Sequence, residues 1–371
     1  TAHTSCPLVK TLAPPIRTVL QRANMRALIG AAKSWVVPCL INSRRAGPNV
    51  PFSPSMPLQP ASQQQAHDSI SQWPEYQVAP LRSEPDLAIA LGIESVWLKD
   101  ETQRLGVGSF KALGGAYAVS KLEANSGPTE FATASAGNHG IGLAWGCKRL
   151  GRTCHVFLDA AVPEGSADKI RRFGGQVHRV SGGYEASVDQ CKREAVKNGW
   201  SVVQDVSAKG YEVIPHDIFC GYSVLAHEII DQISVCGAPP PTHVLVNAGV
   251  GGLASAVCAS FWARYGEVRP QFICVEPTAA NCLLHSAREG MLSAVPPSSQ
   301  STIMVGLDCK VPTNLAWQVL ETGTDAFVSV GDEVVEPCQQ LLASLEPPLL
   351  AGESAVAGLG ALLAAATEPK L

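Results

Sequence analysis

A chain of 371 residues that is 46% hydrophobic and 16% charged can bury one large core or two moderate ones, which excludes disordered and fibrous classes. Its net charge of −4 gives no reason to expect nucleic acid as a partner. No apolar run reaches the length of a membrane span: the longest small-residue run, 355–366, is too short and too rich in glycine.

The first 67 residues carry seven Lys or Arg and no Asp or Glu. Residues 16–37 read as a basic amphipathic helix with Ile16, Val19, Leu20 and Ala23 on one face. Such an Arg-containing, acid-free composition is that of an organelle transit segment. The expected location is therefore the cytoplasm, or the mitochondrion if residues 1–67 are such an extension. Residues 38–80 are loaded with Pro, Ser, Gln and Asn and read as an irregular lead-in over a surface. From residue 95 onward, short apolar runs alternate with amphipathic ones. Strands are expected at 95–99, 131–134, 154–158, 176–180, 201–204, 243–247, 272–275 and 326–330. Helices are expected at 110–123, 139–150, 184–197 and 218–233; the third shows Tyr184, Val188, Cys191 and Ala195 at helical spacing. Alternating β and α implies open, largely parallel sheets with helices on both faces. The twelve cysteines show no C-x-x-C pairs or zinc spacing, so no metal site is expected and most read as buried thiols in a reducing compartment.

Three motifs carry chemistry. Behind the charged run Leu98-Lys99-Asp100-Glu101-Thr102 comes Ser109-Phe110-Lys111-Ala112-Leu113-Gly114-Gly115. It is a lysine hemmed by apolar and small residues, where desolvation is expected to lower its pKa towards that of an imine-forming amine. Next is the turn Ser135-Ala136-Gly137-Asn138-His139-Gly140. An asparagine there can bond its own backbone or a ligand oxygen. His139 reads as a helix-start residue, since the sequence assigns it no carboxylate partner. Third is Asn247-Ala248-Gly249-Val250-Gly251-Gly252-Leu253, between an expected strand and an expected helix. Unpaired amides at a helix amino terminus favour an anion, and glycines let the backbone approach it. A side chain at Gly251 is expected to occupy the space of a bound phosphate. Lysine, asparagine and glycine loop in this order are what pyridoxal 5'-phosphate requires: a Schiff base, a bond to the ring oxygen and a phosphate cradle.

Further segments extend the pattern. They are Val203-Gln204-Asp205, Gly210-Tyr211-Glu212-Val213-Ile214-Pro215, Gly221-Tyr222, Val275-Glu276-Pro277, Asn281-Cys282, the run Ser301 to Cys309 and Gly352-Glu353-Ser354-Ala355-Val356-Ala357-Gly358-Leu359-Gly360. Together, over roughly residues 75–366, they resemble the diaminopropionate ammonia-lyases among the fold-type-II, tryptophan-synthase-β-like pyridoxal-phosphate enzymes. The resemblance implies a two-domain α/β fold: a large cofactor domain of residues 68–119 and 237–371, with a small domain of residues 120–236 inserted. The cofactor would lie in the crevice between them, at strand carboxyl ends. It also implies a homodimer, a small amino-acid substrate and a role in amino-acid catabolism.

By the same resemblance Lys111 binds the cofactor and Asn138 meets its ring oxygen. Gly249, Val250, Gly251, Gly252 and Leu253 cradle its phosphate, and Asp205 is the base for an L-substrate. The implied reaction is α,β-elimination from a small L-amino acid, 2,3-diaminopropionate giving pyruvate and ammonia. The chain departs from the family in having Ala136 where relatives carry a second aspartate, used for the D-substrate. That turn is similar to the one in threonine and serine dehydratases, so a hydroxyamino-acid dehydratase is the alternative reading, and a non-catalytic relative is a third. Relatives continue into a further strand whose hydroxyl faces the pyridine nitrogen, a neutral contact that favours elimination over transamination; this sequence ends at Leu371, so either the sequence is incomplete or the ring nitrogen is contacted differently. Cys282 and Cys309 lie in motifs whose cysteines can approach each other near the active site; they are expected to be free thiols.

Overall fold

The computed structural model describes residues 25–47, 50–124, 129–296 and 300–367. In chain order its strands are β1 (Cys39–Ile41), β2 (Leu81–Ser83), β3 (Trp97–Lys99), β4 (Glu130–Ala134), β5 (Thr153–Asp159), β6 (Gly175–Val180), β7 (Ser201–Val202), β8 (His243–Asn247), β9 (Gln271–Pro277) and β10 (Ala326–Val330). One four-stranded sheet has the order β6-β5-β4-β7 with every pair parallel. A second has the order β1-β10-β9-β8, parallel except for β1. β2 and β3 form a short antiparallel pair. Every residue of β10, and Phe131 to Ala134 of β4, are buried. Such unbroken apolar runs are what a parallel sheet covered on both faces demands.

All eight expected strands and all four expected helices are present. Their ends move by a few residues at most, apart from the helix Val213–Val235, which starts five residues before the expected 218. The lead-in is where expectation fails. Cys39–Ile41 adds to the large sheet edge by pairing with residues 326–328 of β10. The helix Pro60–Ile70, with proline in its first turn, buries Gln63, Ala66 and Ile70. Its polar composition hid a packing face, because the buried glutamine is fully used: Nε2 donates to the Leu58 carbonyl at 2.6 Å and Oε1 accepts from Ser260 Oγ at 2.6 Å. Of the expected basic helix, residues 25–32 are helical, while Ile16, Val19, Leu20 and Ala23 lie outside the described residues.

A buried charge network fixes the approach to the lysine motif. Arg104 donates to both carboxylate oxygens of Glu228, at 2.6 and 2.7 Å, and to both oxygens of Glu101 at 2.7 Å each. Lys99 Nζ lies 2.7 Å from Glu228, whose oxygens also accept from the Tyr76 hydroxyl and the Ala79 amide. The side chains of Arg104 and Glu228 are 0% and 1% exposed. Removing one partner strands the others in a low dielectric. Glu228→Ala is therefore expected to destabilise the fold by about 3–5 kcal/mol, read as a lower midpoint in denaturant unfolding; an unchanged midpoint would show the network to be neutral.

Candidate active site

Lys111 opens the helix Lys111–Ala124, which buries residues Ala112 to Val119. That helix is held tightly against the helix Val213–Val235 because glycines face each other. A Cβ at Gly221 would fall 2.7 Å from Gly114 Cα, and one at Gly114 would fall 2.4 Å from Tyr222 Cε1. No larger residue fits at either position. The contact places Tyr222, fully buried, beside Lys111, whose Nζ lies 5.4 Å from the Tyr222 ring centroid and 5.6 Å from that of Phe110.

Asp205 follows β7, and its Oδ2 accepts a short hydrogen bond from Lys111 Nζ. The two side chains are 22% and 16% exposed. Burial opposes the charge on Lys111, but the Asp205 carboxylate outweighs it and holds the ammonium above its ordinary range. This reverses the lowering expected from the apolar setting alone, which took no account of a carboxylate 94 residues away in sequence. For Asp205 burial likewise opposes ionisation, and Lys111 outweighs it and holds the carboxyl well below its usual range.

Asn138 is the first residue of the helix Asn138–Arg149. It is exposed to the cleft, and its amide makes no hydrogen bond among the described residues. His139 beside it is 5% exposed; its Nε2 lies 2.9 Å from the Val203 carbonyl and its Nδ1 lies 3.9 Å from Asp205 Oδ2. The loop Gly249 to Leu253 joins β8 to the helix Gly252–Tyr265 and lines the same cleft, a space of about 2360 Å³ that also reaches Lys111, Asn138 and Asp205. All the residues expected from the sequence thus border one cleft.

Gly251 has φ +99°, a left-handed conformation that glycine alone adopts without strain. A Cβ there would meet Ala316 Cβ at 2.9 Å and Leu320 Cδ1 at 3.1 Å. Its side of the loop therefore abuts the helix Asn314–Gly323, and the expectation that a side chain would fill a phosphate's space is replaced by a clash with that helix. At Gly249 a Cβ would fall 3.0 Å from Cys309 Sγ. Cys282 and Cys309 are both free thiols. Cys282 Sγ donates to the Gly249 carbonyl at 3.6 Å.

One connection has no signal in the sequence. The Ser207 amide donates to Thr313 Oγ1 at 2.7 Å, the two hydroxyls lie 2.5 Å apart, and Ser207 Oγ accepts from the Leu315 amide at 3.1 Å. The Thr313 amide in turn donates to the Val250 carbonyl at 2.9 Å. Asp205 is thereby tied, two residues on, to the glycine loop across a sequence gap of 106 residues. Among the described residues no cluster of His, Cys, Asp or Glu is arranged to hold a metal ion, and no helix is long and apolar enough to cross a membrane.

Comparison with known proteins agrees with this geometry. The family model described as pyridoxal-phosphate dependent enzyme matches residues 73–370. The diaminopropionate ammonia-lyase of Salmonella typhimurium is 34% identical over 321 residues, 78% of each chain. The crystal structure of the Escherichia coli diaminopropionate ammonia lyase in complex with an aminoacrylate-PLP azomethine reaction intermediate superposes with a TM-score of 0.81 at 30% identity, covering 91% of this chain and 88% of that one. An L-threonine dehydratase of Haemophilus influenzae is 30% identical over 271 residues, 72% of this chain but 45% of that protein. The chain belongs to the pyridoxal-phosphate dependent enzymes, within the diaminopropionate ammonia-lyase family.

Proposed function

We propose that the cleft eliminates the β-amino group of L-2,3-diaminopropionate, giving pyruvate and two molecules of ammonia with consumption of one water. The observation that carries this reading is the carboxylate of Asp205 held against Lys111 on the floor of a cleft bounded by the glycine loop. The residues fit pyridoxal 5'-phosphate. Lys111 has an amine in reach of the cleft, Asn138 an amide free to meet a ring oxygen, and Gly249 to Leu253 a loop at the amino terminus of a 14-residue helix, suited to a phosphate. When bound, the cofactor supplies an electron sink for charge developing at the substrate α-carbon.

The chain's own residues do the rest. Lys111 anchors the cofactor. Asp205, whose carboxyl the Lys111 ammonium holds well below its usual range before the cofactor binds, takes the α-proton onto Oδ2. The Ser207–Thr313 bonds hold that carboxylate in register with the loop that would carry the phosphate. A leaving ammonium departs as neutral ammonia and needs no general acid, whereas a hydroxyl would need one. The separate strand sets β4–β7 and β8–β10 support the division into a small domain of residues 120–236 and a large one of residues 68–119 and 237–371. The eleven described cysteines, all free, are in keeping with a reducing compartment such as the cytoplasm.

Ala136, a methyl group in the turn before Asn138, favours a second reading, dehydration of L-serine or L-threonine. Assay of 2-oxo acid from L-2,3-diaminopropionate, L-serine and L-threonine by the cofactor-loaded protein separates the two. The diaminopropionate value of kcat/KM is expected to exceed the others by about 10-fold or more, the weight of one charged hydrogen bond. A larger value for either hydroxyamino acid would replace the proposal by dehydration.

A further inference from the structure

Two features of His139 are not used by the mechanism above. Its Nε2 lies 2.9 Å from the Val203 carbonyl oxygen. A carbonyl only accepts, so Nε2 carries the hydrogen and, in the neutral ring, Nδ1 is left as a bare lone pair. That Nδ1 is buried and has no hydrogen-bond partner among the described residues, and Asp205 Oδ2 lies 3.9 Å from it. A buried acceptor without a donor is costly and calls for a reason.

We propose that His139 is a positioning residue for Asp205, accepting through Nδ1 the proton that Asp205 removes from the substrate. The inference rests on the reading of Asp205 as the base. In the structure described here, Asp205 Oδ2 is held by the Lys111 ammonium. While Lys111 is bonded to the cofactor its ammonium is absent from Oδ2, and His139 Nδ1 is an acceptor facing that oxygen at 3.9 Å. A carboxylic acid O–H formed at Oδ2 then faces the Nδ1 lone pair; the two heavy atoms must close by about 1 Å to bond. The proton passes from oxygen to nitrogen: the O–H bond breaks, the Nδ1–H bond forms, and a carboxylate beside an imidazolium results. The products are opposite charges side by side, an attraction that a partly buried setting strengthens. Val203 keeps the Nε2–H throughout and fixes the ring, so that only Nδ1 changes state. Asp205 is thereby returned to its ionised form while the substrate is still in the cleft.

A purely structural tie between the helix Asn138–Arg149 and Val203 is the competing account of His139, and it makes a different demand. Such a tie needs the bond to Val203 but is indifferent to Nδ1. His139→Gln can still donate an amide N–H to the Val203 carbonyl and offers no basic nitrogen to Asp205. The proposal expects kcat for L-2,3-diaminopropionate to fall about 10- to 100-fold in that variant, with KM and cofactor affinity unchanged. A kcat equal to that of the unmodified enzyme would overturn it. A second measurement needs neither a variant nor turnover. Nitrogen NMR of the cofactor-free protein with labelled histidine should show His139 as the Nε2–H tautomer with an unprotonated Nδ1, and an Nδ1–H tautomer would overturn the proposal even if His139→Gln failed to fold. If Asp205→Asn keeps full L-activity, the assignment of the base is at fault; if Asp205→Asn is inactive and His139→Gln is not, only the relay is.

Discussion

Lys111→Ala is expected to abolish both the visible absorption of lysine-bound cofactor and all measurable elimination. It carries the largest effect because one side chain combines two roles in the proposed site. It supplies the amine that anchors the cofactor, and it is the counter-ion of the Asp205 carboxylate. Losing a covalent anchor costs at least about 10²–10⁴ in rate. Without the ammonium, burial acts on Asp205 with its main opponent gone, and the carboxyl rises from its depressed range. Borohydride treatment followed by peptide mapping reads the result. A cofactor still fixed to another lysine in the variant would contradict the assignment.

Asp205→Asn should separate the cofactor from the chemistry. The amide keeps the size of the side chain and removes the charge. Turnover of the L-substrate is expected to fall by about 10²–10⁴, the usual worth of a general base. Cofactor capture should move the other way. The carboxylate is what holds the Lys111 ammonium above its ordinary range against burial. Removing it lets burial lower that pKa, so a larger share of Lys111 is the neutral, nucleophilic amine at a given pH. The pH at which the lysine-bound absorption develops should therefore shift downward in the variant. A variant with full L-turnover, or one whose cofactor capture shifts to higher pH, would break the link between the two residues.

How much of this was legible in the sequence depended on range. Strands such as β4, β5, β9 and β10 could be read because parallel strands buried on both faces are nearly unbroken apolar runs bounded by turns. β1 and β2 could not, since three residues carry no periodicity and each is fixed by a partner elsewhere, residues 326–328 of β10 for β1 and Trp97–Lys99 for β2. The helix Pro60–Ile70 was masked by polar residues whose burial is satisfied by Ser260 and Leu58. Lys111, Asn138 and the glycine loop were recoverable because each sits in a local motif that must be local: a helix start, a turn, a strand-to-helix junction. Their relations were not recoverable. The pairing that sets the charge state of Lys111 spans 94 residues, the approach of His139 to Asp205 depends on how the helix Asn138–Arg149 packs beside the segment that follows β7, and the Ser207–Thr313 bonds join segments that share no pattern. The lysine's pKa was accordingly expected in the wrong direction, for burial is visible in a sequence and a distant carboxylate is not.

One carboxylate, that of Asp205, is proposed to serve one face of the substrate. Asp205 and Ala136 both line the cleft, and Ala136, in the turn on which Asn138 is mounted, offers no proton acceptor. Opposite enantiomers held in one pose present their α-hydrogens to opposite faces, so only one of them meets a base. The direct measurement is the initial rate of pyruvate formation from L- and from D-2,3-diaminopropionate by the same cofactor-loaded protein. The L-enantiomer should turn over faster by about 10² or more; equal rates would contradict the account and would require a second base, with Lys111 the first candidate.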